Sequence, residues 1–318
     1  MIDIPDAALT GALILPEPAR AEVWRRWRAA QDIDALSYEC QQLLPAFAAC
    51  LPRWLDGDAA AARIQGIVRM VWSRNQVRLH KAAELQQALL RASATPVVIV
   101  GPLAWSLLTR EEGSIRSIPN LTLLIPREDV SKAASALVQD GWQLCGDLPD
   151  SAAMDWSCYL PLTKGDETLH LHWRLSPAPE GEAIASERAV MERLRTVTWN
   201  RHTFQVLSPE ADLLHRLTDR PSWDPVPWQA DVLMTPFSEI DWPRFRELAS
   251  RFAPVIEPVD VFRRLMKLRS DWQLPIPHIA PIRRRPPVGA MARAYVNRLR
   301  FVQLGRRLSR RGRLLWRS

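Results

Sequence analysis

Paired cysteines are missing from this 318-residue chain. Cys40, Cys50, Cys145 and Cys158 form no CxxC and join no His/Cys cluster. A disulfide framework and a structural zinc site are thereby disfavoured, and reduced thiols in a cytoplasmic protein are the expectation. No apolar run approaches the roughly 18 residues that a membrane span needs. The first twenty residues, MIDIPDAALTGALILPEPAR, lack a basic stretch followed by an apolar core, so no signal peptide is expected. Internal repeats and low-complexity domains are absent as well. Acidic residues are missing from the final segment RRRPPVGAMARAYVNRLRFVQLGRRLSRRGRLLWRS, which is rich in arginine. The net charge of +7 therefore describes a tail, while the rest of the chain is slightly acidic.

What is present reads as a globular protein with two kinds of segment. Hydrophobic content is 47% and charged content 24%, enough to build a core. The 14 tryptophans mostly stand at helical spacing and are assigned to packing. Residues 17–95 read as helices, interrupted at Pro45 and Pro52 and ending in a long amphipathic one. Its inner face is expected to carry Ile64, Ile67, Val68, Val71, Trp72, Val77, Leu79, Ala82, Leu85 and Leu89. The pattern then changes. Val97–Val100 is a short apolar run closed by Gly101, and Pro102 suits the first turn of a following helix. NLTLLIP is a second strand, and REDVSKAASALVQDGW a helix with acids in its first turn and Gly141 at its end. Val130, Ala134, Leu137 and Val138 are its expected inner face. DWSCYLPLT and ETLHLHWRL are two further strands around Lys164, Gly165 and Asp166.

From Pro209 the chain is helical again, with Ser208 as the N-cap of SPEADLLHRL. PWQADVLM, DWPRFRELASRF and PVDVFRRLMKLRSDW continue in the same manner, and QLPIPHIAPIRRRPP is a proline-rich linker. The expected fold is α+β, a small mixed sheet between two helical regions. Its parts are residues 1–95 (helical), 96–207 (α/β core), 208–274 (helical) and 275–318 (linker and basic tail).

On the last strand, Thr168, His170, His172 and Arg174 share one face. Two histidines are too few to make a transition-metal site by themselves. Asn120 and Thr122 likewise share a face of the strand NLTLLIP.

Taken together, VIVGPLAW, NLTLLIPREDVSKAASALVQDGW, LHLHWRL, SPEADLLHRL, WQADVLM and IDWPRFRELA stand in the order seen in the uncharacterised bacterial nucleotidyltransferase family. That family is a branch of the polymerase-beta-like superfamily, and the chain resembles it over roughly residues 60–280. The resemblance implies transfer of a nucleoside monophosphate from an NTP, with Mg²⁺ held by three carboxylates. Here those three positions are Asn120, Thr122 and His170, and Val100 stands where the family has a lysine. Gly101 and Arg116 are kept, and with Arg174 they are the expected phosphate contacts.

Three replacements in one metal site, uncharged or potentially cationic, imply a degenerate enzyme that acts as a binding or accessory protein. The alternative is an active, Mg²⁺-dependent transferase using substitute carboxylates, chosen from Asp155, Asp166, Glu167, Glu128 and Asp129. Glu128 and Asp129 suit a helix's first turn better, Asp166 suits a hairpin turn, and Glu167 points away from His170. A third reading places the function in residues 282–318, as a module for an acidic partner protein, anionic membrane or nucleic acid.

Overall fold

The computed structural model describes residues 7–93, 96–108, 116–151, 154, 157–175, 183–218 and 228–252. Asp155, the segment PVDVFRRLMKLRSDW, the proline-rich linker and the basic tail lie outside the described residues. Among the described residues no helix is long and apolar enough to cross a membrane. All four cysteines are free thiols.

The N-terminal region contains α1 (Ala7–Ile14), α2 (Ala19–Ala30), α3 (Tyr38–Leu43), α4 (Leu51–Trp54) and α5 (Ala61–Ser93). Helix α5 is 33 residues long, about 50 Å at 1.5 Å per residue. It belongs to two cores. Near its start Ile64 packs among Trp24, Trp27, Phe47 and Leu51. Further along, Leu79, Ala82, Leu85 and Leu89 pack against the sheet. Trp72 and Val77, expected on the inner face, are 53% and 62% exposed. They fall off the stripe set by Ile64, Val71, Leu79, Ala82 and Leu89, and buried Asn75 sits on that stripe instead.

The sheet has seven strands where the sequence suggested four. They are β1 (Val98–Ile99), β2 (Leu121–Leu124), β3 (Gln143–Leu144), β4 (Tyr159–Lys164), β5 (Glu167–His172), β6 (Leu194–Trp199) and β7 (His202–Leu207). Their spatial order is β3-β4-β5-β2-β1-β7-β6. Strand β2 runs parallel to β5 and antiparallel to β1, and β1 runs parallel to β7. The missed β6–β7 hairpin supplies β7, which lies beside β1, and the edge strand β6. Its turn residues Asn200 and Arg201 both have positive φ, 43° and 67°. That is the pairing of a two-residue hairpin loop, here without the usual glycine.

Helices cover both faces. Against one, α5, α6 (Gly101–Leu108) and α7 (Val130–Gln139) enclose Ile99, Leu121, Leu123, Leu169, Leu171 and Val206. Helix α7 ends as expected at Gly141 (φ 88°), with Trp142 N–H donating to the Leu137 carbonyl. Its Val138 is exposed, however, and Ala133 takes the inner position beside Val130, Ala134 and Leu137.

Against the opposite face, α8 (Ala183–Met191), α9 (Pro209–Thr218), α10 (Trp228–Leu233) and α11 (Trp242–Phe252) enclose Val98, Val100, Leu124 and Leu207. Ser208 caps α9, accepting from Ala211 N–H at 3.4 Å. The α+β class read from the sequence is the class observed.

Candidate functional site

Pairing between strands brings the distant site residues together. Antiparallel pairing of β1 with β2 sets Val100 beside Thr122, whose carbonyl accepts the Val100 N–H at 3.2 Å. The next residue is Gly101, in the left-handed region at φ 65°, where glycine carries no steric penalty. It opens α6, and Pro102 in that first turn removes no intrahelical hydrogen bond. Parallel pairing of β2 with β5 sets Thr122 opposite His170, and Leu124 opposite His172. Val100, Thr122 and His170 therefore form a row across three adjacent strands, with Gly101 following at the end of β1.

Alternation within the strands turns this row to the face that α9 covers. His215 of α9 comes down onto it: a side-chain carbon at Gly101 would lie 3.8 Å from His215 Nε2 and 3.9 Å from Thr122 Oγ1. Thr122, His172 and His215 are buried, while Gly101, Asn120 and His170 are half-buried and mark the open side. Tyr159 of β4 stacks on His172 at 4.8 Å and leans on His170 at 4.7 Å.

The site carries no formal charge of its own. Asn120 Nδ2 lies 2.7 Å from His170 Nδ1. With the amide donating, that ring nitrogen accepts and the imidazole is neutral. Burial pushes the His170 pKa down to about 4. His172 is held well below its ordinary value, first by burial and then by His215 and His170, and its Nδ1–H donates to the Arg174 carbonyl. His170 and His172 are thus held away from the charged form at neutral pH.

The two arginines expected to meet phosphate are committed elsewhere. Arg116 is buried and pairs with Asp231 of α10 through Nε at 2.8 and 3.0 Å and Nη2 at 2.7 Å. Its Nη1 donates to the Ser117 carbonyl. Asn75 of α5 grips the same loop, donating to the Arg116 carbonyl and accepting from Ile118 N–H. Arg174, also buried, pairs with Glu187 of α8. Burial raises the Glu187 pKa despite the neighbouring Arg174.

The described candidate substitute carboxylates sit as follows. Glu167 pairs with Arg78 of α5 at 3.4 Å, on the other side of the sheet. Asp166 is exposed in the β4–β5 turn. Glu128 and Asp129 lie at the start of α7. Among the described residues no group of three or more His, Cys, Asp and Glu side chains is arranged to hold a metal ion. Asn, Thr and neutral imidazole do not fit Mg²⁺, which keeps its water unless carboxylate or phosphate charge compensates.

Sequence reasoning missed His215 and Tyr159. His215 stands in a helix whose leucines advertise packing, and only the tertiary fold places it over Gly101.

A model of the family described as "Uncharacterised nucleotidyltransferase" matches residues 38–252, about two thirds of the chain. The chain belongs to this family. No curated protein matches it. Among solved structures, similarity extends to the crystal structure of ANT(2'')-Ia in complex with adenylyl-2''-tobramycin. That pair is 16% identical with a TM-score of 0.32, covering 63% of this chain and 99% of that one. It also extends to the solution structure of the antibiotic-resistance factor ANT(2'')-Ia, at 18% identity and a TM-score of 0.29, covering 61% and 92%.

Proposed function

We propose that this nucleotidyltransferase-family protein has lost metal-dependent transfer and works as a binding or accessory protein. One observation carries the reading. The three positions that the resemblance equates with metal-holding carboxylates are Asn120, Thr122 and His170, and two of them satisfy each other in a hydrogen bond. Two-metal chemistry needs carboxylate charge to hold the ions and to stabilise the attacking and leaving oxygens. The pairing of Glu167 with Arg78 supports the same reading.

The test is incubation of the full chain with each of the four NTPs and Mg²⁺ or Mn²⁺, reading pyrophosphate release. No release above the protein-free blank is expected. Metal-dependent release that disappears in Asp155→Asn or Glu167→Gln would establish the active-enzyme alternative instead.

A second element rests on the tail. Residues 282–318 hold many arginines and no acid, which suits an acidic partner protein, an anionic membrane surface or nucleic acid. Binding through it is expected to weaken steeply with salt and to vanish on truncation at residue 281. Binding that survives truncation contradicts this role. The free thiols agree with a cytoplasmic location.

A further inference from the structure

We propose that the solvent face of α5 around Met70, Trp72 and Val77 is a docking surface for an acidic amphipathic helix of another protein. Helix α5 lies against the sheet face opposite the one that α9 covers. The inference therefore goes beyond the strand row and holds whether or not that row transfers nucleotides.

The apolar part of the surface is concentrated. Among the described residues six large hydrophobic side chains are exposed, and Met70, Trp72 and Val77 account for three of them within two turns of one helix. Their exposures are 45%, 53% and 62%. Single exposed apolar residues are ordinary, whereas a cluster of them marks a contact surface. Met70, Arg74 and Val77, at i, i+4 and i+7, form one ridge. Ser73 lies three or four residues from Met70, Val77 and Arg69, and Arg69 lies three from Trp72, so the patch is continuous. It occupies the span of α5 between Ile64, which serves one core, and Leu79, which serves the other.

Charge names the occupant. No acid occurs from residue 59 to residue 83. Of the cations there, Arg63 pairs with Asp34, Arg78 with Glu167 and Lys81 with Glu84. Arg69 and Arg74, which flank the exposed apolar side chains, make no ion pair or hydrogen bond among the described residues. A fitting partner brings carboxylates beside an apolar stripe, and a helix has ridges that match the i, i+4, i+7 spacing. A second copy would set the same cations against each other. The chain's own C-terminal segments fit no better: residues 282–318 hold no acid, and PVDVFRRLMKLRSDW has two acids against four bases. A nucleic-acid backbone would meet the arginines and gain nothing from Met70 or Val77.

The experiment is selection of a phage-displayed library of random peptides, about four helical turns long, on the full chain. Counter-selection uses the full chain carrying Met70→Ser, Trp72→Ser and Val77→Ser together. All three positions are exposed, so this variant is expected to keep the wild-type Tm. Selected peptides are then titrated by fluorescence anisotropy. They are expected to carry Asp or Glu beside apolar residues at helical spacing. Their binding should weaken by at least about tenfold in the triple variant, and likewise in Arg69→Glu/Arg74→Glu, which keeps the apolar side chains. Added salt should weaken it further.

Peptides that bind wild type and both variants equally overturn the proposal, and so does a selection that yields none or yields peptides without acids. Oligo(dT) and phosphatidylserine vesicles are titrated in parallel. Binding of either that depends on Met70, Trp72 and Val77, with no peptide selected, assigns the face to nucleic acid or membrane and overturns it too. Pyrophosphate release from the same preparations reads the transfer question separately.

Discussion

Replacing Asp231 with alanine tests how the site's frame is held. Arg116 is 4% exposed, and its guanidinium makes three contacts of 2.7–3.0 Å to the Asp231 carboxylate. Asp231→Ala leaves that cation buried without its partner, a loss of about 3–5 kcal/mol when a buried ion pair is broken on one side. For a protein of this size that lowers Tm by on the order of 10 °C. The Asp231 backbone carbonyl, which accepts from Arg216 and Thr235, is untouched, so the effect belongs to the carboxylate. Urea unfolding of wild type, Asp231→Ala, Arg116→Met and the double variant gives the coupling energy directly. The double variant is expected to recover much of the loss, since two apolar side chains leave no buried charge. A single-variant cost below about 1 kcal/mol refutes the reasoning, because the pair would then be solvated and Arg116 free for other work.

Three further outcomes follow from local geometry. His170 is held at about 4 in the folded chain against 6.5 unfolded. The unfolded chain therefore binds a proton that the folded chain refuses. Stability from this residue is full above about pH 6.5 and declines as pH falls toward 4, by about 3 kcal/mol in all. Urea midpoints measured from pH 7.5 to 4.5 should drop, more shallowly in His170→Asn, and a flat profile contradicts the burial of the ring. Gly101→Ala meets ordinary contact distances but forces a side chain to φ 65°, costing about 1–2 kcal/mol without unfolding the protein. A Tm equal to wild type in thermal unfolding contradicts that turn geometry. Arg201→Gly relieves a positive φ in the β6–β7 turn and should stabilise by up to about 1 kcal/mol in the same assay, a loss contradicting the turn.

The strands that carry the site were legible because their residues announce them. Val97–Val100 is an apolar run stopped by glycine, NLTLLIP a short buried strand, and the β4–β5 turn is marked by Gly165 at φ 59°. The β6–β7 hairpin was not legible for the converse reason: Arg201 occupies a conformation that glycine would have advertised. Asn120, Thr122 and His170 were singled out by the resemblance, and strand register then placed Thr122 opposite His170. What Arg116 does was out of reach, since its partner lies 115 residues further along the chain. His215 was hidden similarly, because a polar residue in an amphipathic helix gives no sign that it faces a glycine turn.

The orientation of α5 shows a subtler limit. Its stripe was read too broadly, as Trp72 and Val77 are apolar residues turned to solvent while the polar Asn75 is buried. Burial there follows hydrogen bonds to the loop at Arg116 and Ile118, which hydrophobicity alone does not encode.

The central claim is that this family frame has no charge with which to hold a metal. Calorimetric titration of the purified full chain with MgATP, MgGTP, MgCTP and MgUTP, each repeated in EDTA, tests it most directly. The account predicts that Mg²⁺ never strengthens binding. Tight binding of any NTP that appears only with Mg²⁺ would contradict it, and would mean that carboxylates outside the described row complete the site.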